Sequence, residues 1–220
     1  RPLFGPGAQS DPAPPALPPL PAHPPGALAP LLVRFGLAAG RYIACQPASS
    51  NRRKDYPAAL WRRVWAAFPE QRFVLLGTEA EAGGDHGRPD VVDLRGRTSL
   101  VEAVHLLRAC RAFLGLDSGL THLAAHLGRP TLCLAQASSL GYFFPYPEAM
   151  GALALRVLAH PGCQECAGCL AVCRREPLWR TYRRGARCLR ELGAEPVIAA
   201  LAELLAAPPS LPEQGLELGV

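Results

Sequence analysis

Short apolar runs alternate with helix-period segments along most of the chain. Tyr42-Ile-Ala-Cys45, Arg72-Phe-Val-Leu-Leu76, Val91-Val-Asp-Leu94, Phe113-Leu-Gly-Leu116, Thr131-Leu-Cys-Leu134 and Ala154–Leu158 read as strands. Between them, Ala58–Phe68 reads as a helix with Pro57 in its first turn. Ser99-Leu-Val-Glu102 is a capping box that predicts a helix with Leu100, Val104 and Leu107 on one face. A further helix is expected from the Asp117 loop to Gly128, and Pro196–Ala207 reads as a closing helix. Apolar strands separated by helices of about ten residues predict an α/β fold, a doubly wound and mostly parallel sheet.

The same pattern sets the expected boundaries. Residues 1–30 hold eleven prolines and read as a Pro-rich linker or disordered lead-in. Residues 31–162 form the α/β domain, 163–190 a cysteine-rich insert, 191–207 the closing helix and 208–220 a disordered tail. At 220 residues, 49% hydrophobic and 19% charged, the chain can bury one full core.

Composition narrows the function classes. No apolar run approaches the ~20 residues that cross a bilayer, and no secretory n-region or h-region is visible, so no transmembrane segment and a cytoplasmic location are expected. The chain begins at Arg1 rather than Met, which reads as processing, trimming or an incomplete start. Net charge is +5, but its 22 arginines are scattered and not interleaved with aromatics, so an anionic ligand or simple solubility fits better than nucleic acid. Against those arginines stands a single lysine, Lys54. A compact ammonium on a flexible stem suits a phosphate oxygen in a way a guanidinium does not.

Ligand crevices in such sheets lie at the carboxyl ends of the strands. Three loops are expected to share that rim: one with Lys54, the turn with Glu79, and the loop Asp117-Ser118-Gly119-Leu120-Thr121-His122. The last takes an apolar strand into a helix start, where free N–H groups and the positive dipole end suit a pyrophosphate. Gly119 removes the side chain that would hold a phosphate off, and Ser118 adds a hydroxyl. An ordinary strand–turn–helix corner capped by Ser or Asp would look much the same. His105 and His126 have no partner motif and read as structural.

Five of the eight cysteines, Cys163, Cys166, Cys169, Cys173 and Cys188, fall within 26 residues. Closely spaced thiolates with a distant fourth are a metal-ligand pattern, zinc being one fit. A disulfide framework is disfavoured by the odd number and the short spacing. Cys163 to Cys173 also matches the four-cysteine ferredoxin run for an iron–sulfur cluster, but Arg174 replaces the proline that follows it. Cys45, Cys110 and Cys133 lie in apolar elements and read as small core residues.

Four segments in this order resemble the C-terminal half of glycosyltransferase family 9, the heptosyltransferases. They are Asn51-Arg-Arg-Lys54-Asp-Tyr-Pro57 through Trp61, Leu75-Leu-Gly77-Thr-Glu79, Asp93-Leu-Arg-Gly96 through Leu100, and Asp117-Ser-Gly-Leu-Thr-His122 through Thr131. The resemblance implies the donor-binding, Rossmann-like half of a GT-B fold that uses an ADP-sugar donor for inverting transfer. Lys54 would then neutralise the donor pyrophosphate and Glu79 would accept from the ribose hydroxyls. Ser118, Gly119 and Leu120 would donate to the phosphates, while Asp117 and His122 would fix the loop, His122 also within reach of phosphate. The acceptor would be a lipopolysaccharide-core or protein hydroxyl. The general base belongs to the other half, so this chain is expected to bind nucleotide weakly and not to turn over alone. The cysteine cluster is similar to the iron finger of autotransporter heptosyltransferases. That implies one structural iron, with zinc as the alternative, Cys166, Cys169, Cys173 and Cys188 as first choice of ligands, and a role in building a homo-oligomer. Two other readings stay open: a zinc or iron–sulfur interaction module on the same scaffold without transferase activity, and a chain that folds but catalyses nothing.

Overall fold

The structure is a computed structural model that describes residues 26–78, 88–146, 154–166, 169, 173 and 175–206. Six parallel strands form one sheet: β1 (Tyr42–Gln46), β2 (Arg72–Leu75), β3 (Val92–Asp93), β4 (Ala112–Leu116), β5 (Thr131–Leu134) and β6 (Leu155–Leu158), in the spatial order β3-β2-β1-β4-β5-β6. The order reverses direction between β1 and β4, which pair Ile43 with Ala112 through Gln46 with Gly115. A crevice opens at that reversal because the chain leaves the two strands towards opposite sides.

Strand residues point alternately to two faces, and both are covered. Tyr42, Ala44, Val74 and Phe113 face one core with α1 (Leu28–Phe35), α3 (Leu100–Ala109) and α4 (Gly119–His126). Ile43, Cys45, Phe73, Leu75, Leu114 and Leu132 face the other, with α2 (Ala58–Ala66), α6 (Arg187–Glu191) and α7 (Glu195–Ala206). A short helix α5 (Leu178–Arg184) packs against the 3-10 turn Arg52–Lys54.

Several expectations shift. The ordered fold starts before residue 31, because Leu28, Leu31, Leu32 and Phe35 lie at helical spacing and are buried in α1. Pro30 is tolerated there because first-turn N–H groups have no intrahelical partner. The capping box of α3 forms, with both Ser99–Glu102 bonds present. Its buried face, however, is Ala103, Leu106, Leu107 and Ala109, while Leu100 is exposed. Seven of the ten residues of that helix are apolar, so two faces fitted the periodicity and the sheet chose between them.

The stretch 163–190 is not a separable insert throughout. Ala186 and Leu189 are buried in the core with α2 and α7, and Ala186 N–H donates to Arg53 O at 2.9 Å. Cys45, Cys110 and Cys133 are fully buried. Burial pushes the Cys110 thiol up to about 12 and raises the other two further, which leaves all three inert as nucleophiles at neutral pH. Among the described residues no helix is long and apolar enough to cross a membrane.

Candidate functional site

The loop after β1 is folded on itself before it reaches Lys54. Ser49 N–H donates to Asp55 Oδ1 at 3.1 Å, and Asn51 Oδ1 accepts from Arg53 N–H at 3.2 Å. Lys54 N–H closes the 3-10 turn onto Asn51 O at 2.8 Å. Such Asx and Ser turns replace sheet hydrogen bonds and hold the lysine backbone at the rim.

The loop after β4 receives that lysine. Lys54 Nζ donates to Asp117 Oδ2 at 2.8 Å and to Asp117 O at 3.0 Å. Ser139 Oγ, from the 3-10 turn after β5, donates to the same Oδ2 at 2.6 Å. His122 Nε2, one turn into α4, lies 3.3 Å from Oδ1. Asp117 is thus a buried carboxylate shared by three elements, its side chain 4% exposed against 25% for Lys54. Burial alone would raise its pKa. Hydrogen bonds from His122, Lys54 and Ser139, with the Lys54 charge, outweigh that and hold the carboxyl well below the usual carboxylate range.

Both His122 nitrogens are occupied by protein. Nδ1 meets the Tyr146 hydroxyl, and the ring stacks on Phe144 with centroids 5.6 Å apart. With Nε2 donating to Asp117, a neutral ring accepts the Tyr146 proton at Nδ1. To reach a phosphate, His122 would have to give up one of these bonds.

Ser118 is the N-cap of α4, yet its side chain makes no capping bond. Its hydroxyl turns instead to Gln46 Oε1 and to Leu116 O. First-turn N–H groups have no acceptor inside the helix, so those of Gly119 and Leu120 suit an anion from outside. A Cβ at Gly119 would meet nothing within 4 Å, so this glycine faces open space. Lys54, Asp117, Ser118, Gly119, Leu120 and His122 therefore share one corner of the rim. Glu79 lies outside the described residues. Asp93 serves Arg95, with Oδ1 accepting from Nε at 2.9 Å.

Sequence reasoning missed Ser139, Tyr146 and Gln46. No periodicity marks them, but β5 neighbours β4, and that adjacency alone puts the Ser139 turn at the same rim.

A second cavity lies just beyond that turn. Its lining includes Gln136, Ser138, His160, Cys166, Cys169, Cys173 and Cys188. The four thiols are partly buried. They suit a soft metal in donor type and number. Among the described residues, however, no three His, Cys, Asp or Glu side chains stand as a ligand group. The Cys163 side chain lies outside what is described.

A parallel sheet in this strand order, with a glycine-led helix start and a lysine at its switch point, defines the Rossmann-like α/β class. Residues 27–168 match the family profile of glycosyltransferase family 9 (heptosyltransferase). The chain belongs to that family. It is 28% identical over 92 residues to lipooligosaccharide heptosyltransferase 2 of Haemophilus ducreyi, an alignment covering 41% of this chain and 26% of that protein. Among solved structures it resembles E. coli ADP-heptose lps heptosyltransferase II, at a TM-score of 0.59 and 20% identity, over 84% of this chain and 52% of the other. It also resembles the iron-containing dodecameric glycosyltransferase TibC of enterotoxigenic E. coli, at a TM-score of 0.53 and 20% identity, over 76% of this chain and 45% of that one. These likenesses show the fold, and the neighbours are GT-B glycosyltransferases. The chain spans about half the length of the solved E. coli heptosyltransferase.

Proposed function

We propose that this chain is the donor-binding half of a heptosyltransferase, holding an ADP-heptose for inverting transfer to a lipopolysaccharide-core or protein hydroxyl. The observation that carries this reading is the Lys54 ammonium at the start of α4, 3.0 Å from Asp117 O. A diphosphate at this corner takes the N–H groups of Gly119 and Leu120 and the third N–H of the Lys54 ammonium, whose other two stay on Asp117. Glu79 receives the ribose hydroxyls. As the bond from sugar to phosphate breaks, negative charge grows on the departing diphosphate. Lys54 and the helix start are already aimed at it, so they stabilise the transition state more than the bound substrate. Asp117 keeps Lys54, His122 and the Ser139 turn in register without touching the sugar. Activation of the acceptor hydroxyl needs a base, which in this reading the other half of the GT-B fold provides.

Cys166, Cys169, Cys173 and Cys188 would hold one metal, iron by resemblance and zinc as the alternative. Thiolate ligands there would hold parts of 163–190 together and support assembly into a homo-oligomer. We place the protein in the cytoplasm, where its nucleotide-sugar would be made.

The test is heat protection. ADP should raise the melting temperature of the chain, and Lys54→Ala, although it starts from a lower melting temperature, should abolish the rise. No protection of the unsubstituted chain by ADP would overturn the assignment. Turnover should appear only when an acceptor half is added. The thiol-lined cavity favours one competing reading, a metal-binding interaction module without transferase activity. Acid-labile sulfide together with indifference to ADP would support that reading instead.

A further inference from the structure

The segment after β5 carries four aromatic rings, and packing explains two. Phe144 is buried against the His122 ring, and the Tyr146 hydroxyl bonds His122 Nδ1. Phe143 is different. It is 47% exposed, yet its ring centroid lies 5.8 Å from Lys54 Nζ and 6.4 Å from the His122 ring. Tyr142 supports it edge-on, centroids 5.4 Å apart. The ring is also fixed relative to the anion corner. Phe143 N–H donates to Ser139 O at 2.9 Å, and Ser139 Oγ donates to Asp117 at 2.6 Å. A half-bare aromatic held this firmly beside a charged site leaves apolar surface in water unless a ligand covers it.

Resting on the donor-binding reading above, we infer that Phe143 is the face on which the donor's sugar ring lies, and that it sets the preference for the sugar rather than for the nucleotide. The sheet order gives the direction. A diphosphate between the Lys54 loop after β1 and the α4 start after β4 has one end towards β2 and the other towards β5. Glu79 follows β2 in sequence, so the nucleoside takes that end, and the sugar comes to the β5 side, where Phe143 sits. The sugar is joined directly to its phosphate, whereas the base stands a whole ribose away. A ring 5.8 Å from the phosphate's counter-charge is therefore at sugar distance. A pyranose turns an apolar C–H face to such a ring, and its hydroxyls remain free for polar groups and water.

Calorimetric titration of the full chain with ADP and with an ADP-heptose tests this, the readout being the ratio of the two affinities. Phe143→Ala should weaken ADP-heptose about tenfold, near the upper range for one aromatic contact. ADP itself should change less than about twofold, and Phe143→Tyr should keep both affinities. Equal loss of both ligands in Phe143→Ala, or no change in either, would overturn the inference while leaving the donor site standing. Failure of the unsubstituted chain to bind ADP at all would remove the proposed function, and this inference with it.

Discussion

The Lys54 ammonium and the Asp117 carboxylate meet twice, once through Oδ2 at 2.8 Å and once through the main-chain oxygen at 3.0 Å. The two residues are 63 positions apart and leave different strands, so the contact is a tertiary one. It ties the loops on either side of the sheet's reversal point into one unit. Ser139 and His122 take two further lone pairs of the same carboxylate. A buried anion satisfied by three elements stabilises their mutual placement, and removing it leaves an ammonium and a hydroxyl without their acceptor.

Asp117→Asn should therefore destabilise the fold and the site together. We expect a loss of about 2 kcal/mol, below the range for a fully buried ion pair because Lys54 is partly exposed. Urea unfolding at neutral pH measures it. ADP protection should also shrink, since Lys54 would lose the partner that holds it at the rim.

The depressed pKa of Asp117 gives a pH signature. A carboxyl whose pKa is lower in the folded than in the unfolded chain adds stability above its unfolded value, about 3.9. That contribution drains away as pH falls below this value towards the folded one. Unfolding free energies measured from pH 7 to pH 3 should show the unsubstituted chain falling more steeply in acid than Asp117→Asn, so that the gap between them narrows. A constant gap would contradict the assignment. Glu176, held down by Arg190 and Thr181 against its own burial, adds to the acid loss in both proteins.

Two glycines four residues apart should behave in opposite ways. A Cβ at Gly115, within β4, would come 2.6 Å from the buried Phe113 ring and 3.2 Å from Thr121 Oγ1. Gly115→Ala should cost about 1–3 kcal/mol through overpacking, seen as a lower melting temperature. Gly119 has open space around it. Gly119→Ala should melt within about 0.5 kcal/mol of the parent, as surface changes do, yet bind ADP more weakly because the new methyl stands where the phosphate approaches.

The cysteine cavity shares its wall with the turn that carries Ser139, since Gln136 and Ser138 line it and Ser139 reaches Asp117. Chain purified without chelator should carry about one metal per chain by elemental analysis, and Cys166→Ser or Cys188→Ser should lose it. Removing the metal should also weaken ADP binding several-fold, because the Ser139 turn would lose its support. Retention of full metal content by both variants would sink this expectation.

Local pattern carried the strands, the α3 capping box and the glycine-led start of α4. These depend on side-chain alternation, short-range hydrogen bonds and the geometry of one turn, all of which lie within a few residues. The same information could not choose the buried face of α3, because apolar residues occupy both candidate faces and only the sheet beneath selects one. Nor could it find Ser139 or Tyr146, whose bonds to Asp117 and His122 span 22 and 24 positions. By itself the sequence determined the class of fold and offered the residues of the candidate site. The order of strands decided which of them meet, because the ends of β1, β4 and β5 become neighbours only when the sheet has formed.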